Sequence, residues 1–269
     1  MKRISAITLM FAMLVSACDI MDEPYMNKPT GGGETEETVQ KVLLEEFTGH
    51  QCQNCPEGAA TAEQLKQAYG NKFIIIAYHA GHFARTNTDF PEDYRTVVGN
   101  ELNSNFNVES YPAGVVNRTE YDGKLVITNT VWPSAASAIL DNNIEPHLQL
   151  GINHTYNSGN LSVTINAKAL NDIEPLSICV FITEDGLISP QQTPSGTVEN
   201  YVHNHVFRIS LNGTWGTQTF AEGAAVGQEE NITVEAAIDS DWNLNNLNIV
   251  CFAYSSESGK IIQVEEKSL

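Results

Sequence analysis

Leu43-Leu44-Glu45-Glu46-Phe47-Thr48-Gly49-His50-Gln51-Cys52-Gln53-Asn54-Cys55-Pro56 is the stretch on which the reading turns. Residues 41–47 form a strand candidate. Residues 55–69 read as a helix, with Ala59, Ala60, Ala62, Leu65 and Ala68 at roughly helical spacing and Gly70-Asn71 to end it. Two cysteines separated by two residues therefore fall where a strand passes into a helix. The first sulfur sits at a helix N-terminus, where free N–H groups and the helix dipole stabilise a thiolate. The second lies one turn inward, close enough to close a disulfide. Attack by the first thiolate and resolution by the second is the cycle of thiol–disulfide exchange.

Working outward, residues 72–79 are a continuous apolar run bounded by a turn, which suits a strand buried on both faces of a parallel sheet. Strand, helix and strand make a βαβ unit. Residues 80–104 are polar and read as an insertion with some helix. Residues 106–116 return to apolar character around Pro112, residues 125–131 read as a further strand, and Trp132-Pro133 opens a helix running to Leu140. After Pro146 the period changes to two. Leu148, Leu150 and Ile152 alternate with polar residues, as do Leu161, Val163, Ile165 and Ala167, and Leu176, Ile178, Val180 and Ile182. Residues 201–211, 232–238, 247–254 and 261–264 continue the theme, and such strands argue for an antiparallel sandwich. The boundary falls near residue 145, and there is no internal repeat.

In the other direction lies Met1-Lys2-Arg3, then an apolar run from Ile4 to Val15, then Ser16-Ala17-Cys18. A basic start, about a dozen apolar residues and a small-residue cleavage site make a secretory signal peptide. Leu14-Val15-Ser16-Ala17-Cys18 resembles a bacterial lipobox, although Val15 stands where leucine is usual. The resemblance implies cleavage before Cys18 and acylation of its thiol, which would hold the chain to a membrane. Residues 18–40 are polar, glycine-rich and acidic, and read as a flexible tether. Acidic residues close behind the cysteine resemble the surface-export signal of lipoproteins in some Gram-negative anaerobes, which implies an outward-facing position. The chain carries 33 Asp+Glu against 14 Lys+Arg, a formal charge of −19. Such a surface repels phosphate backbones and argues against a nucleic-acid partner.

Residues 41–145 resemble the thioredoxin superfamily. Glu46 stands six residues before the first cysteine, where thioredoxins carry a buried acid, and Phe47 follows it. Ser110-Tyr111-Pro112 before an apolar strand is similar to the cis-proline loop that faces the disulfide. The resemblance implies Cys52 as nucleophile, Cys55 as resolving thiol, Glu46 as proton acceptor and Pro112 as part of the substrate groove. Gln51 in place of an aromatic residue, Gln53-Asn54 in place of Gly-Pro, and the bulk of Tyr111 depart from the pattern. The mature chain as a whole resembles the outer-membrane lipoproteins named for a twenty-eight-kilodalton outer-membrane protein of Gram-negative anaerobes. Glu46-Phe47-Thr48-Gly49-His50 with the cysteine pair, Tyr201-Val202-His203-Asn204-His205-Val206-Phe207-Arg208 and Trp215-Gly216 carry that resemblance. The expected architecture is a signal peptide at 1–17, a lipidated tether at 18–40, a thioredoxin-like α/β domain at 41–145 and an all-β antiparallel sandwich domain at 146–269.

The same residues support other readings. Cys52 and Cys55 could form a fixed staple at the helix start, or join His79 and His82 around a metal, although the spacing of those histidines is short for a zinc site. His50 could lower the pKa of Cys52 when protonated. Cys179 and Cys251 read as separate buried thiols rather than a bridge. His203 and His205 share one face of the 201–211 strand and read as a structural network with Asn204 and Arg208. Trp132, Trp215 and Trp242 read as core. The functional expectation is a lipid-anchored outer-membrane or surface protein that exchanges disulfides with an envelope protein. The alternatives are a non-catalytic adhesion or binding module with a surface partner, or an envelope-assembly subunit. No cofactor or bound metal is called for.

Overall fold

Strand β1 (Val42–Thr48) is buried along its whole length, its two glutamates included, as befits a strand covered on both faces. The structure is a computed structural model that describes residues 38–142 and 144–269. The signal peptide, Cys18 and nearly all of the tether lie outside the described residues. Helix α1 (Cys55–Tyr69) places Pro56 in its first turn, where a missing N–H costs nothing, and Glu57 beside it, where the dipole favours an acid. The helix ends at Gly70, whose φ of 60° is a conformation suited to glycine. Strand β2 (Phe73–His79) then runs parallel to β1, with Val42 opposite Phe73 and Thr48 opposite His79. Helix α2 (Val97–Asn105) starts at Thr96, whose hydroxyl accepts the Gly99 N–H at 2.9 Å.

The Tyr111–Pro112 peptide is cis and leads directly into β3 (Ala113–Val116), antiparallel to β1. Helix α3 (Trp132–Leu140) buries Trp132 completely, and its indole donates to the Ile127 carbonyl at 3.1 Å. Gly114 makes room for that ring, since a Cβ there would lie 2.6 Å from Trp132 Nε1. The strand expected over 125–131 is reduced to an isolated bridge between Ile127 and Gly114.

Ten strands follow: β4 (Leu148–Asn157), β5 (Asn160–Ala169), β6 (Leu176–Glu184), β7 (Leu187–Thr193), β8 (Gly196–His203), β9 (Val206–Ser210), β10 (Thr217–Thr219), β11 (Glu229–Ala237), β12 (Leu247–Ser255) and β13 (Ile261–Ser268). They form three sheets. The large mixed sheet has the order β13-β12-β6-β9-β2-β1-β3, with β10 on β6. A second sheet is β11-β5-β4, and β7-β8 is a separate hairpin. The large sheet continues across residue 145. Strand β9 pairs with β2 where Val206 faces Ala77, and the Ala77 N–H donates to the His205 carbonyl at 2.8 Å. This contact occupies the edge of β2 that would otherwise present unpaired backbone groups.

Alternation along each strand sorts the core. One face of β6 and β12 presents Ile178, Val180, Ile182, Ile249, Cys251 and Ala253 to the Leu150, Val163 and Ile165 side of the second sheet, which is sandwich packing. The opposite face carries Phe47, Tyr78, Phe207, Phe181 and Phe252 in one cluster spanning β1, β2, β9, β6 and β12. Beneath α1 and α3, Val42, Leu44, Phe73, Ile75 and Trp132 make a third. Each fully buried side chain of this size contributes roughly 1.5–3 kcal/mol.

Two further expectations change. Residues 201–211 are not one strand. The chain breaks at His205, which adopts φ 56°, so β8 and β9 enter different sheets and His203 and His205 no longer share a strand face. Trp215 is 39% exposed, its indole donating to Glu101 at 3.0 Å, and so is not core. Cys179 and Cys251 are both buried and free. They lie on neighbouring strands one register apart (Cys179 opposite Phe252, Cys251 opposite Val180), so their side chains point to opposite faces of the sheet.

Candidate functional site

Cys52 and Cys55 are joined by a disulfide in the turn between β1 and α1. The Cys52 N–H donates to the Gly49 carbonyl at 3.0 Å, and the Cys55 N–H donates to the Cys52 carbonyl at 3.4 Å, a turn that brings the second cysteine back to the first. Both residues are only 2% exposed. Two segments cover them. From one side the loop after β2 approaches, with the Gln51 N–H donating to the Phe83 carbonyl at 3.0 Å. Gly49 allows that approach, because a Cβ there would lie 2.6 Å from the Phe83 backbone. From the other side comes the β7-β8 hairpin. The Gln191 side-chain amide donates to the Cys52 carbonyl at 3.0 Å, and the Gln192 N–H donates to the His50 carbonyl at 2.7 Å.

Glu46 and Pro112 meet at the start of α1. A Cβ on Gly58 would lie 2.7 Å from Pro112 Cβ and 3.1 Å from Glu46 Oε1, so both side chains press on the helix one turn beyond Cys55. Tyr111 turns the other way. Its hydroxyl donates to Asn103 Oδ1 at 2.6 Å, and its ring stands edge-on to Phe83 at 5.8 Å and to His82 at 6.0 Å. The surface beside the cis-proline is thus filled by the chain's own aromatic residues.

Glu46 is 2% exposed, and its Oε1 has no hydrogen-bond partner among the described residues. Burial pushes its pKa up to about 8, against an opposing pull from His205 and with a smaller push from Glu63. The group is therefore a neutral acid at pH 7. It lines a cavity of ≈ 420 Å³ together with Cys55, Ala59, Glu63, Tyr201 and His205. At the far end His205 Nε2 lies 3.1 Å from Glu63 Oε1, and the His205 N–H donates to Asp185 at 2.6 Å. The hydrogen bond to His205 lowers the Glu63 pKa. Burial works against charge on His205, but Glu63 and Asp185 outweigh it and raise its pKa.

The histidines divide by depth. His79 and His203 stack edge-on at 5.4 Å, and burial holds both below the usual imidazole range, His203 down to about 4. His50 lies flat against Phe90 at 5.4 Å, with its Nε2 2.9 Å from the Arg85 carbonyl. Burial lowers its pKa as well, so it is neutral rather than a cation beside Cys52. The group imagined from Cys52, Cys55, His79 and His82 does not assemble. The two sulfurs bond to each other, His79 is buried and His82 is exposed. Among the described residues no three His, Cys, Asp or Glu side chains are arranged to hold a metal.

Sequence reasoning missed Gln191 and the Glu63–His205 contact. The turn residues Pro194-Ser195-Gly196 announce a hairpin, but residues 187–200 lack a period-two apolar pattern because the hairpin packs only one thin face on the protein.

The model of the family described as Outer membrane protein Omp28 matches residues 99–269. The chain belongs to the Omp28 family of outer membrane proteins. The match starts at Gly99, so the disulfide and Glu46 precede it. Among solved structures the fold is similar to HBP35 of Porphyromonas gingivalis, with TM-score 0.63 and 17% identity over 86% of this chain and 76% of that one. A protein from Agrobacterium tumefaciens aligns with TM-score 0.52 and 9% identity over 85% and 94%. A domain of the outer membrane lipoprotein Omp28 from Porphyromonas gingivalis aligns over 46% of this chain and 88% of its own, at 18% identity and TM-score 0.34. No curated protein matches the chain. No described helix is long and apolar enough to cross a membrane.

Proposed function

We propose that the Omp28-family chain is a lipoprotein, acylated at Cys18 and anchored in the outer membrane with its folded part facing the cell exterior, and that it exchanges disulfides through Cys52 and Cys55. On this reading residues 41–145 are thioredoxin-like. The parallel β1-α1-β2 unit, the antiparallel β3 and the cis-Pro112 that leads into it support that assignment. The observation that carries the chemistry is the buried, unpartnered Glu46 carboxyl, pressed on α1 one turn from the disulfide. A carboxyl left unpaired in the interior costs stability, and a proton affinity near neutrality suits it to hand a proton to a departing thiolate.

Burial favours a second reading. With both cysteines 2% exposed, and with the loop after β2 and the hairpin over them, the disulfide could serve as a staple inside a non-catalytic binding module or envelope-assembly subunit. The reduction potential separates the two. Equilibration in graded glutathione buffers, with free thiols counted by mass after alkylation, should give a value between about −270 and −120 mV for an exchange protein. A pair locked below about −300 mV would sink the exchange reading and leave the staple.

A further inference from the structure

The geometry points to Cys55, not Cys52, as the sulfur that is attacked, and to a low-molecular-weight thiol entering the Glu46 cavity as the attacker. This deepens the exchange reading and rests on it. The usual approach to such a pair is over the first cysteine and the cis-proline. Here the Phe83 backbone is hydrogen-bonded to Gln51, the Tyr111 ring packs on Phe83, and the Gln191 amide is hydrogen-bonded to the Cys52 carbonyl. The cavity lies between α1 and the β7-β8 hairpin, with Gln191 in its wall. Its wall includes Cys55 and the small side chain Ala59, one turn further along α1, but not Cys52. Its volume of ≈ 420 Å³ lies at the small end of the roughly 300–1,000 Å³ typical of small-molecule sites. The 98%-buried Glu46 carboxyl, with no partner for its Oε1, lines the same space and marks it as more than a gap between helix and hairpin.

The step balances as follows. A small thiol RSH loses its proton to solvent, and RS⁻ attacks Cys55 Sγ. The Cys52–Cys55 bond breaks, and its electron pair leaves on Cys52 as a thiolate, three residues before α1 begins at Cys55. A second RS⁻ attacks the outer sulfur of the RS–Cys55 mixed disulfide, releases RSSR and leaves Cys55 as a thiolate, which takes the Glu46 proton. The small thiol is oxidised and the protein disulfide is reduced. With Glu63 at the far end of the cavity and a net charge of −19 on the chain, a zwitterionic thiol such as free cysteine suits the site better than an anionic one.

The test uses the oxidised full-length protein in detergent. It is mixed with excess free cysteine, quenched in acid, alkylated and sequenced by mass. The expected result is a cysteinyl adduct on Cys55 with a free thiol on Cys52. An adduct on Cys52 overturns the proposal while leaving exchange itself intact, and a potential below about −300 mV sinks exchange whichever sulfur is attacked. Ala59→Phe, which narrows the cavity, should slow reduction by cysteine at least about tenfold while leaving the rate in denaturant unchanged. If that variant does not fold, the adduct position in the wild-type protein decides alone. An unchanged rate in a folded Ala59→Phe overturns the cavity route.

Discussion

Glu45 and Glu46 are neighbours on β1, are both buried, and point to opposite faces of the sheet. On one face the Arg118 guanidinium grips Glu45 with both oxygens engaged, at 2.7 and 2.8 Å, and the Tyr78 hydroxyl adds a third contact at 3.3 Å. The Arg118 cation in turn lies over Phe106, Phe252 and Tyr254 at 5.0–5.4 Å. On the other face Glu46 has no cation within reach of a bond among the described residues, and burial makes it a neutral acid. Equal burial therefore gives opposite chemistry. A paired carboxylate ties sheet to loop, and an unpaired one holds a proton near the disulfide.

The largest test of this contrast is Arg118→Met. It leaves Glu45 buried without its cation and should cost about 3–5 kcal/mol in urea unfolding. The double variant Arg118→Met/Glu45→Leu should recover most of that loss, because the stranded charge is gone. If the single variant were nearly neutral, the two faces would not differ as described.

Next comes the pH dependence of the Glu46 face. Its folded pKa, about 8, exceeds the ordinary 4.5, so the folded state keeps a proton that the unfolded state has lost. That contribution to stability is complete below pH 4.5 and is lost as pH rises through about 8, at up to about 1.4 kcal/mol per pH unit. His50, His79 and His203 act in the opposite sense and only below their ordinary 6.5, where the unfolded state takes up protons first. Between pH 6.5 and 8 Glu46 therefore dominates these four groups. Relative to Glu46→Gln, the wild-type protein should lose about 2 kcal/mol over that window in chemical denaturation, and parallel curves would contradict the assignment.

A smaller effect belongs to the partly buried Glu63–His205 pair. Its histidine pKa is raised, so its stabilisation is present below pH 6.5 and fades as pH rises through the folded value. His205→Gln should cost up to about 1 kcal/mol at pH 6 and progressively less in alkali, as read from thermal melts. The smallest effect is expected for the exposed pair Lys168–Glu229 on the second sheet, where Lys168→Ala should stay within about 0.5 kcal/mol. A reversal of this order would break the link between burial and the value of a charge.

Local patterns carried much of this molecule. The apolar run at 72–79, the helical spacing of Ala59, Ala62 and Leu65, and the period-two alternation through Leu161, Val163 and Ile165 became β2, α1 and β5 with little displacement, because each element's own periodicity marks the faces it must bury. The two-residue spacing of Cys52 and Cys55 at a helix start likewise implied a pair able to bond. What lies between distant parts of the chain followed different rules. That β9 would pair with β2, that His205 would turn the chain at positive φ, that a hairpin about 140 residues away would cover Cys52, and that Arg118 would find Glu45 rather than Glu46 all depend on which surfaces meet. Strand spacing determines which side chains share a face. Only the packed tertiary structure decides what stands opposite that face, and so whether a buried acid is an ion pair or a proton donor.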